Sequence, residues 1–499
     1  METKGLLRAC LLLATGISIA KSSAADGINL FTEITLSGSD TPPDSLAVYD
    51  SAVDISGLAG MPAEVSVRIP REAGDVRATI QLDHMDRREG FGERDPIACF
   101  YEGDLSGCEI VPYPNYPPEL FSYTWVGRGD TYDLRLTIHR GYAVGILVGP
   151  QGRFGIAWNT LKELRLDYFL VDDSFDEEGD HMGATNAASA PIARETSPSA
   201  ASAAILARIE PPPTSPNSIA STSQLDMLVL ITEGARVQAG GNPSDCRDTA
   251  GVMAYVHQGI NDVNAAFTRS QIPARVGVVT VSRLNGYTMI PSNPPQNLRN
   301  ITLSTNIKTF RNVVGADVVA TLFDTQANLG ACGVANVQRY GCTYPNPTPG
   351  CNPGPQFSEW TYYLDTVQCS SSVDVFTHEL GHVLGAEHNH ANTNVPITTA
   401  SYPYSYGYHV LSNTTGFETV MSQKFDLTRY PVRLLQFSNP NVHYLGQATG
   451  LVGSPNGADA YNALTLSNLL PGTAGFRSRP NLVFADGFED TGVCSGVTY

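Results

Sequence analysis

The chain has 499 residues, of which only 16% are charged, and 49 acidic against 31 basic side chains leave a formal net charge of −18. That length admits a large core and more than one folded unit. The acidic balance argues against nucleic acid or an anionic membrane surface as a partner, since both call for a basic patch.

The first residues, METKGLLRACLLLATGISIAKSSAADG, set Lys4 and Arg8 ahead of or within a short apolar run that ends near Ala20, and small residues follow from Ser22 to Ala25. This order is that of a secretory signal over residues 1–25. Its apolar core is too short for a comfortable membrane span, and no later stretch reaches that length, so stable membrane insertion is not expected. With Cys10 removed in the signal, Cys99, Cys108, Cys246, Cys332, Cys342, Cys351, Cys369 and Cys494 remain. In an exported chain an even number of cysteines makes disulfides the default. Cys99 and Cys108 are placed for a local bridge, because the other six lie beyond a long linker, and none of the thiols has C-x-x-C spacing.

Residues 26–182 read as a β-rich domain. Short alternating segments such as YDLRLTIH (Tyr132–His139), YAVGILVG (Tyr142–Gly149) and RFGIAW (Arg153–Trp158) are separated by Gly, Pro and Asp, the pattern of antiparallel strands and tight turns. Residues 183–223, dominated by Ala, Ser, Pro and Thr, are too poor in large apolar side chains to offset their ordering entropy and read as an exposed linker open to proteolysis. From 224 to 478 strands alternate with helices: LDMLVLIT (Leu225–Thr232) as a buried strand, a helical spacing of Val252, Tyr255, Ile260, Val263 and Phe267, then RVGVVTVSRL and ADVVATLFD as further strands. That is an α/β layout. Gly330–Cys369 reads as an irregular, disulfide-tied excursion, Asp459–Leu470 as a last helix, and residues 479–499 as a tail.

The chemistry concentrates in THELGHVLGAEHNH, Thr377–His390, which holds four histidines. Val373, Phe376, Leu380, Val383 and Leu384 define one buried stripe of a helix. At about 100° per residue, His378 and His382 lie about 40° apart on one face, a turn from each other, where two imidazoles can share one metal ion. Glu379 is adjacent, within reach of a metal-bound water without ligating the metal itself. A continuing helix would carry His388 away from that ion. Gly385, free to take a positive φ, can end the helix and turn the chain so that His388 approaches from below. A loop could equally deliver His390, so the third ligand is open between the two, with the spacing favouring His388. Three histidines leave a position for water, unlike a structural site closed by four protein ligands.

The spacing His378, Glu379, His382, Gly385, His388 resembles the extended motif of the metzincin zinc metalloproteases. Met421, in GFETVMSQ, resembles the methionine of their tight turn beneath the metal. VDVFTHELGHVLGAEHNH, YSYGYHV, FETVMSQ and FSNPNVHYLGQATG together are similar to the reprolysin-like (adamalysin-type) branch and its secreted bacterial relatives, and ACFYEGD with GYAVGILVGPQGRFGIAW is more loosely similar to a preceding prodomain. Asn389 stands where reprolysins usually carry Asp, and Gln423 where other branches carry a metal-side Tyr.

The resemblance implies an α/β (α+β) catalytic domain with a mixed twisted sheet and long helices, preceded by a β-rich propeptide domain. It implies one catalytic Zn²⁺ on His378, His382 and His388, Glu379 as general base, Met421 as a structural floor and Gly385 as the helix-ending turn. The implied enzyme is a secreted zinc endopeptidase acting on proteins or peptides, made as a zymogen with its own propeptide as inhibitor. A zinc hydrolase of cell-wall peptides and a non-proteolytic metal-binding surface protein are the alternative readings. Calcium binding is not derivable from the sequence.

Overall fold

The structure, a computed structural model, describes residues 28–36, 47–53, 57–58, 62–69, 75–87, 97–101, 123–129, 132–139, 142–149, 152–158 and 164–169, and then 223–478 apart from 245–247, 286, 325–331, 340–353, 373, 394, 398–399, 413–415, 423–431 and 456. The expected signal and tail, the linker but for its last residue, the side chains of the expected Cys99–Cys108 bridge, Val373 and Gln423 lie outside the described residues.

Eleven strands are described in the N-terminal half: β1 (Ile28–Asn29), β2 (Phe31–Leu36), β3 (Ala47–Val53), β4 (Glu64–Ile69), β5 (Val76–Arg87), β6 (Ile97–Tyr101), β7 (Tyr123–Arg128), β8 (Asp133–His139), β9 (Tyr142–Gly149), β10 (Gly152–Trp158) and β11 (Leu164–Phe169). All but β6 form one ten-stranded sheet in the order β1-β4-β5-β7-β8-β9-β10-β11-β3-β2. Its pairings are antiparallel except that between β1 and β4. Leu134, Leu136 and Ile138 on one face of β8 enter a core with Val65, Ile80, Trp125, Leu147 and Phe154.

The second half is built on β12 (Ser223–Thr232), β13 (Ala274–Asn285), β14 (Val318–Phe323), β15 (Gly333–Ala335) and β16 (Tyr362–Thr366). With β6 they form a six-stranded sheet ordered β15-β16-β14-β12-β13-β6. It is mixed, because β15 alone runs antiparallel to its neighbour. β6 comes from the N-terminal half, so the two halves share a sheet. Helices α1 (Glu233–Gln238), α2 (Ala250–Arg269), α3 (Pro294–Leu303), α4 (Thr305–Val314), α5 (Val367–Ser372), α6 (Val375–Val383) and α7 (Asn462–Thr473) belong to this half, as do the short strands β17 (His409–Val410), β18 (Phe417–Thr419), β19 (Val432–Leu434), β20 (His443–Tyr444) and β21 (Gln447–Ala448). The apolar stripe of α2 and that of α6 share a core with one face of β12, whereas α3 and α4 cover the other face around Leu228, Leu230 and Phe323. None of the described helices is long and apolar enough to cross a membrane.

The stretch 330–369 corrects the sequence reading at both ends. β15 and β16 are paired strands there, tied by a Cys332–Cys369 disulfide. β15 has three residues and β16 five, lengths at which the period-2 pattern carries little signal. The same stretch supplies the sheet's edge beside α6.

The two halves meet along α2. The face of β8 opposite its core carries Arg135, Thr137 and His139, and all three are buried. Thr137 donates to Gln258 (2.6 Å), His139 packs its ring 4.8 Å from that of His257, and Arg135 forms ion pairs of 2.8 Å with Asp262 and with Asp374. Removing one partner of such a buried pair typically costs roughly 3–5 kcal/mol, because the other charge stays behind without compensation. Burial first, and then the neighbouring Asp374, push the Asp262 carboxyl up to about 6, against the opposing pull of Arg135.

Candidate metal centre

α6 is capped by Asp374, the residue before its first turn, whose main-chain carbonyl accepts from the N–H groups of Thr377 (3.1 Å) and His378 (3.0 Å). It ends in a Schellman turn: Ala386 N–H donates to the Gly381 carbonyl (2.9 Å) and Gly385 N–H to that of His382 (2.8 Å). Gly385 has φ +86°, and a Cβ there would lie 2.5 Å from Ser401 Oγ and 2.7 Å from Leu469 Cδ1. Both the backbone conformation and the space therefore demand glycine.

The turn delivers His388 to the helix. The three Nε2 atoms of His378, His382 and His388 stand 3.0–3.1 Å from one another. His378 Nδ1 faces the Val420 carbonyl (2.8 Å) and His382 Nδ1 faces that of Ala386 (2.7 Å). A carbonyl only accepts, so both Nδ1 atoms carry a proton, and in the neutral ring Nε2 is then the atom that presents the lone pair. Lone pairs converging at that separation repel one another unless a cation lies among them. Burial foremost, with the positive charges of Arg433 and Arg339 adding to it, holds the His388 imidazole well below its ordinary pKa, which favours the neutral form that a metal requires. Among the described residues these three are the one group of three or more His, Cys or carboxylate side chains whose ligand atoms lie within 4.8 Å of one another. Neutral imidazole donors with main-chain carbonyls behind them are the donor set of zinc, bound at about 2.0–2.1 Å.

The loop that carries His388 is fixed through its neighbours. Glu387, fully buried, receives a bidentate pair from Arg339 (2.6 and 3.1 Å), and its main chain pairs with Ser405 and Gly407. His390 goes elsewhere: its Nε2 meets the Asp459 carbonyl at 2.9 Å, and its ring stacks on Tyr406 at 3.7 Å. Asn389 donates to Asn392 (2.8 Å) and contacts His409 Nδ1 (2.9 Å).

Glu379, one residue on from His378, lies against β15. A Cβ on Gly333 would come 2.5 Å from Glu379 Oε1, so glycine there makes room for the carboxylate. Met421, fully buried, sits under the helix, with its Sδ 2.5 Å from where a Cβ on Gly381 would be. The helix can come that close to the methionine turn only because residue 381 has no side chain. Arg433 of β19 (Val432–Leu434) donates to the Val420 carbonyl at 2.6 Å, the same oxygen that takes the His378 Nδ1 proton, and pairs at 3.5 Å with Glu418 of β18 (Phe417–Thr419). Arg339, Glu387 and Arg433 had no sequence signal, because their partners are tens of residues away or are main-chain atoms.

Residues 221–437 match the family model Reprolysin_5 of metallo-peptidase family M12, whose members depend on zinc. This region is a reprolysin-like metallopeptidase domain. A peptidyl-Asp metalloendopeptidase of Stenotrophomonas maltophilia (strain K279a) is 31% identical over 173 residues, 34% of this chain and 34% of that protein. A second one, from strain R551-3, is 25% identical over 252 residues, 50% of this chain and 52% of that protein. The chain thus spans between a third and about half of the length of these curated relatives. Metalloproteinase-II from Bacteroides fragilis aligns with 70% of this chain and 88% of its own, at 10% identity and a TM-score of 0.34. The matched span of the metallopeptidase domain contains all three histidines, Glu379, Gly385 and Met421.

Proposed function

We propose that the chain is a secreted zinc endopeptidase that hydrolyses peptide bonds in proteins, with Glu379 as general base. The observation that carries this reading is the convergence of three imidazole Nε2 atoms at 3.0–3.1 Å, with the Glu379 carboxyl on the residue after His378. His378, His382 and His388 would hold the ion, which when bound would polarise the scissile carbonyl and lower the pKa of a water toward neutrality. Glu379 would accept a proton from the attacking water and then donate it to the leaving amine, so one carboxyl would be base and then acid. β15 is the edge strand beside Glu379, and an extended peptide can pair with such an edge.

Residues 1–25 act as the export signal, and the N-terminal sheet is a propeptide domain followed by the linker at 183–223. The name of the relatives supplies the first preference to examine, bonds beside an aspartyl residue. The deciding experiment incubates purified protein with casein and with peptidoglycan, with and without a chelator and with added zinc. Chelator-sensitive casein cleavage, lost in Glu379→Gln while zinc remains bound, is the expected result. Cleavage of peptidoglycan alone would move the reading to a cell-wall hydrolase, and no cleavage with zinc bound would make it a metal-binding surface protein.

A further inference from the structure

The N-terminal sheet reaches the metal centre from behind, through one residue. Arg135 of β8 is 1% exposed, and its guanidinium places Nη2 2.8 Å from a carboxylate oxygen of Asp374. Asp374 is itself buried and held in the left-handed region at φ 61°. A non-glycine residue keeps that conformation only where its surroundings impose it. Its carboxylate faces Arg135, while its carbonyl accepts from the His378 amide at 3.0 Å. Arg135 and the first metal-binding histidine are thus two contacts of one residue.

Other polar contacts between the halves do not have this reach. The Arg269–Asp133 pair (2.8 Å) and the hydrogen bond from the Tyr142 hydroxyl to the Gly240 carbonyl (3.5 Å) engage α2 and the turn before it, not α6. A second line of packing runs the same way as Arg135. β9 rests against β19, whose Arg433 shares the Val420 carbonyl with the His378 ring. The main-chain anchor and the ring anchor of His378 are both backed by the N-terminal sheet.

We infer that Arg135 is a positioning residue for the metal-binding helix: its ion pair with Asp374 fixes the first turn of α6, and with it His378, so that seating of the N-terminal sheet and affinity of the triad for its ion are coupled. The inference rests on the zinc reading above. Coupling of this kind is reciprocal, so the ion also tightens the hold of α6 on the sheet. The N-terminal half then acts on the centre by holding its scaffold in register, in addition to whatever latency it confers.

The test uses the full chain and measures zinc affinity by competition with a chromophoric chelator, under conditions where circular dichroism shows each variant folded. Arg135→Met keeps the volume and removes the charge, and is expected to weaken zinc binding at least tenfold. Asp374→Asn breaks the pair from the other side with a residue that tolerates the left-handed region, and covers the case in which Arg135→Met does not fold. It should weaken zinc similarly. The double variant Arg135→Met/Asp374→Asn should bind zinc no worse than Asp374→Asn alone, because the two losses are one interaction. Asp133→Asn, which breaks the other ion pair of the joint, should stay within about threefold of wild type. Zinc should also slow amide exchange in β8 and β9 of the wild type, and not in Arg135→Met. Unchanged affinity in either single variant, additive losses in the double, or an equal loss in Asp133→Asn would each overturn the inference. If the wild type binds no zinc that His388→Ala abolishes, the zinc reading itself fails, which is a different result.

Discussion

Two buried polar clusters lie within a few residues of each other, and their difference separates a ligand site from a joint. At the junction of the halves, Arg135 faces Asp262 and Asp374, so opposite charges meet inside the protein. At the histidine triad three ring nitrogens of one kind converge instead. Burying polar groups is costly unless each meets a complement. A cluster of opposite charges holds structure together, whereas converging like nitrogens form the donor set of a cation.

The largest effect follows from removing a donor. His388→Ala should lose zinc and with it essentially all peptidase activity, measured as bound metal per chain and as casein turnover. Retention of stoichiometric zinc in that variant would make the triad no more of a site than the Arg135 joint. Next comes Glu379→Gln, which keeps volume but cannot take a proton. A fall in turnover on the order of 10²–10⁴ is expected, with zinc content unchanged, so chemistry and binding separate.

Gly385→Ala strains the turn that brings His388 in. The conformational penalty of roughly 1–3 kcal/mol, with the close approach of Ser401 and Leu469 added, should appear as a lower melting temperature and weaker zinc. The smallest effect on the ion is expected from His390→Ala. It costs the stack on Tyr406 and the contact with Asp459, yet leaves zinc affinity within a few-fold. Loss of metal in that variant would transfer the third-ligand role to His390.

A pH measurement sharpens the other side of the comparison. Burial foremost raises both Asp262 and Asp317 to about 6. A carboxyl whose folded pKa lies above its unfolded value near 3.8 takes up a proton on folding, so its contribution to stability is full below about pH 4 and is lost as pH rises through 6. Asp317→Asn should therefore flatten the decline of the melting temperature between pH 4 and 6 relative to wild type. A steeper decline in the variant would reverse the sign. At Asp317 the upward push of burial is opposed by the hydrogen bonds from the N–H groups of Asp226 and Arg477.

The spacing of four histidines, a glutamate and a glycine contains most of the site, because helix geometry and a positive-φ turn are local rules that act over a dozen residues. Gly385 is the clearest case: its place two residues beyond Val383 predicts the turn, and the observed bonds of Gly385 and Ala386 supply its geometry. Where His388 and His390 lie is not a local matter: Glu387 pairs with Arg339 and His390 meets the carbonyl of Asp459, both distant in sequence.

The same division holds for the fold. Strands such as β9 and β12 were legible as short apolar segments and the helix α2 from helical spacing of its large apolar residues. The alternation in DLRLTIH likewise separates Leu134, Leu136 and Ile138 from Arg135, Thr137 and His139. What periodicity cannot say is what the polar face meets. That face is buried against α2 and the first turn of α6, because a charge can be taken out of water when its partners are supplied by another part of the chain, and only the tertiary structure brings those parts together.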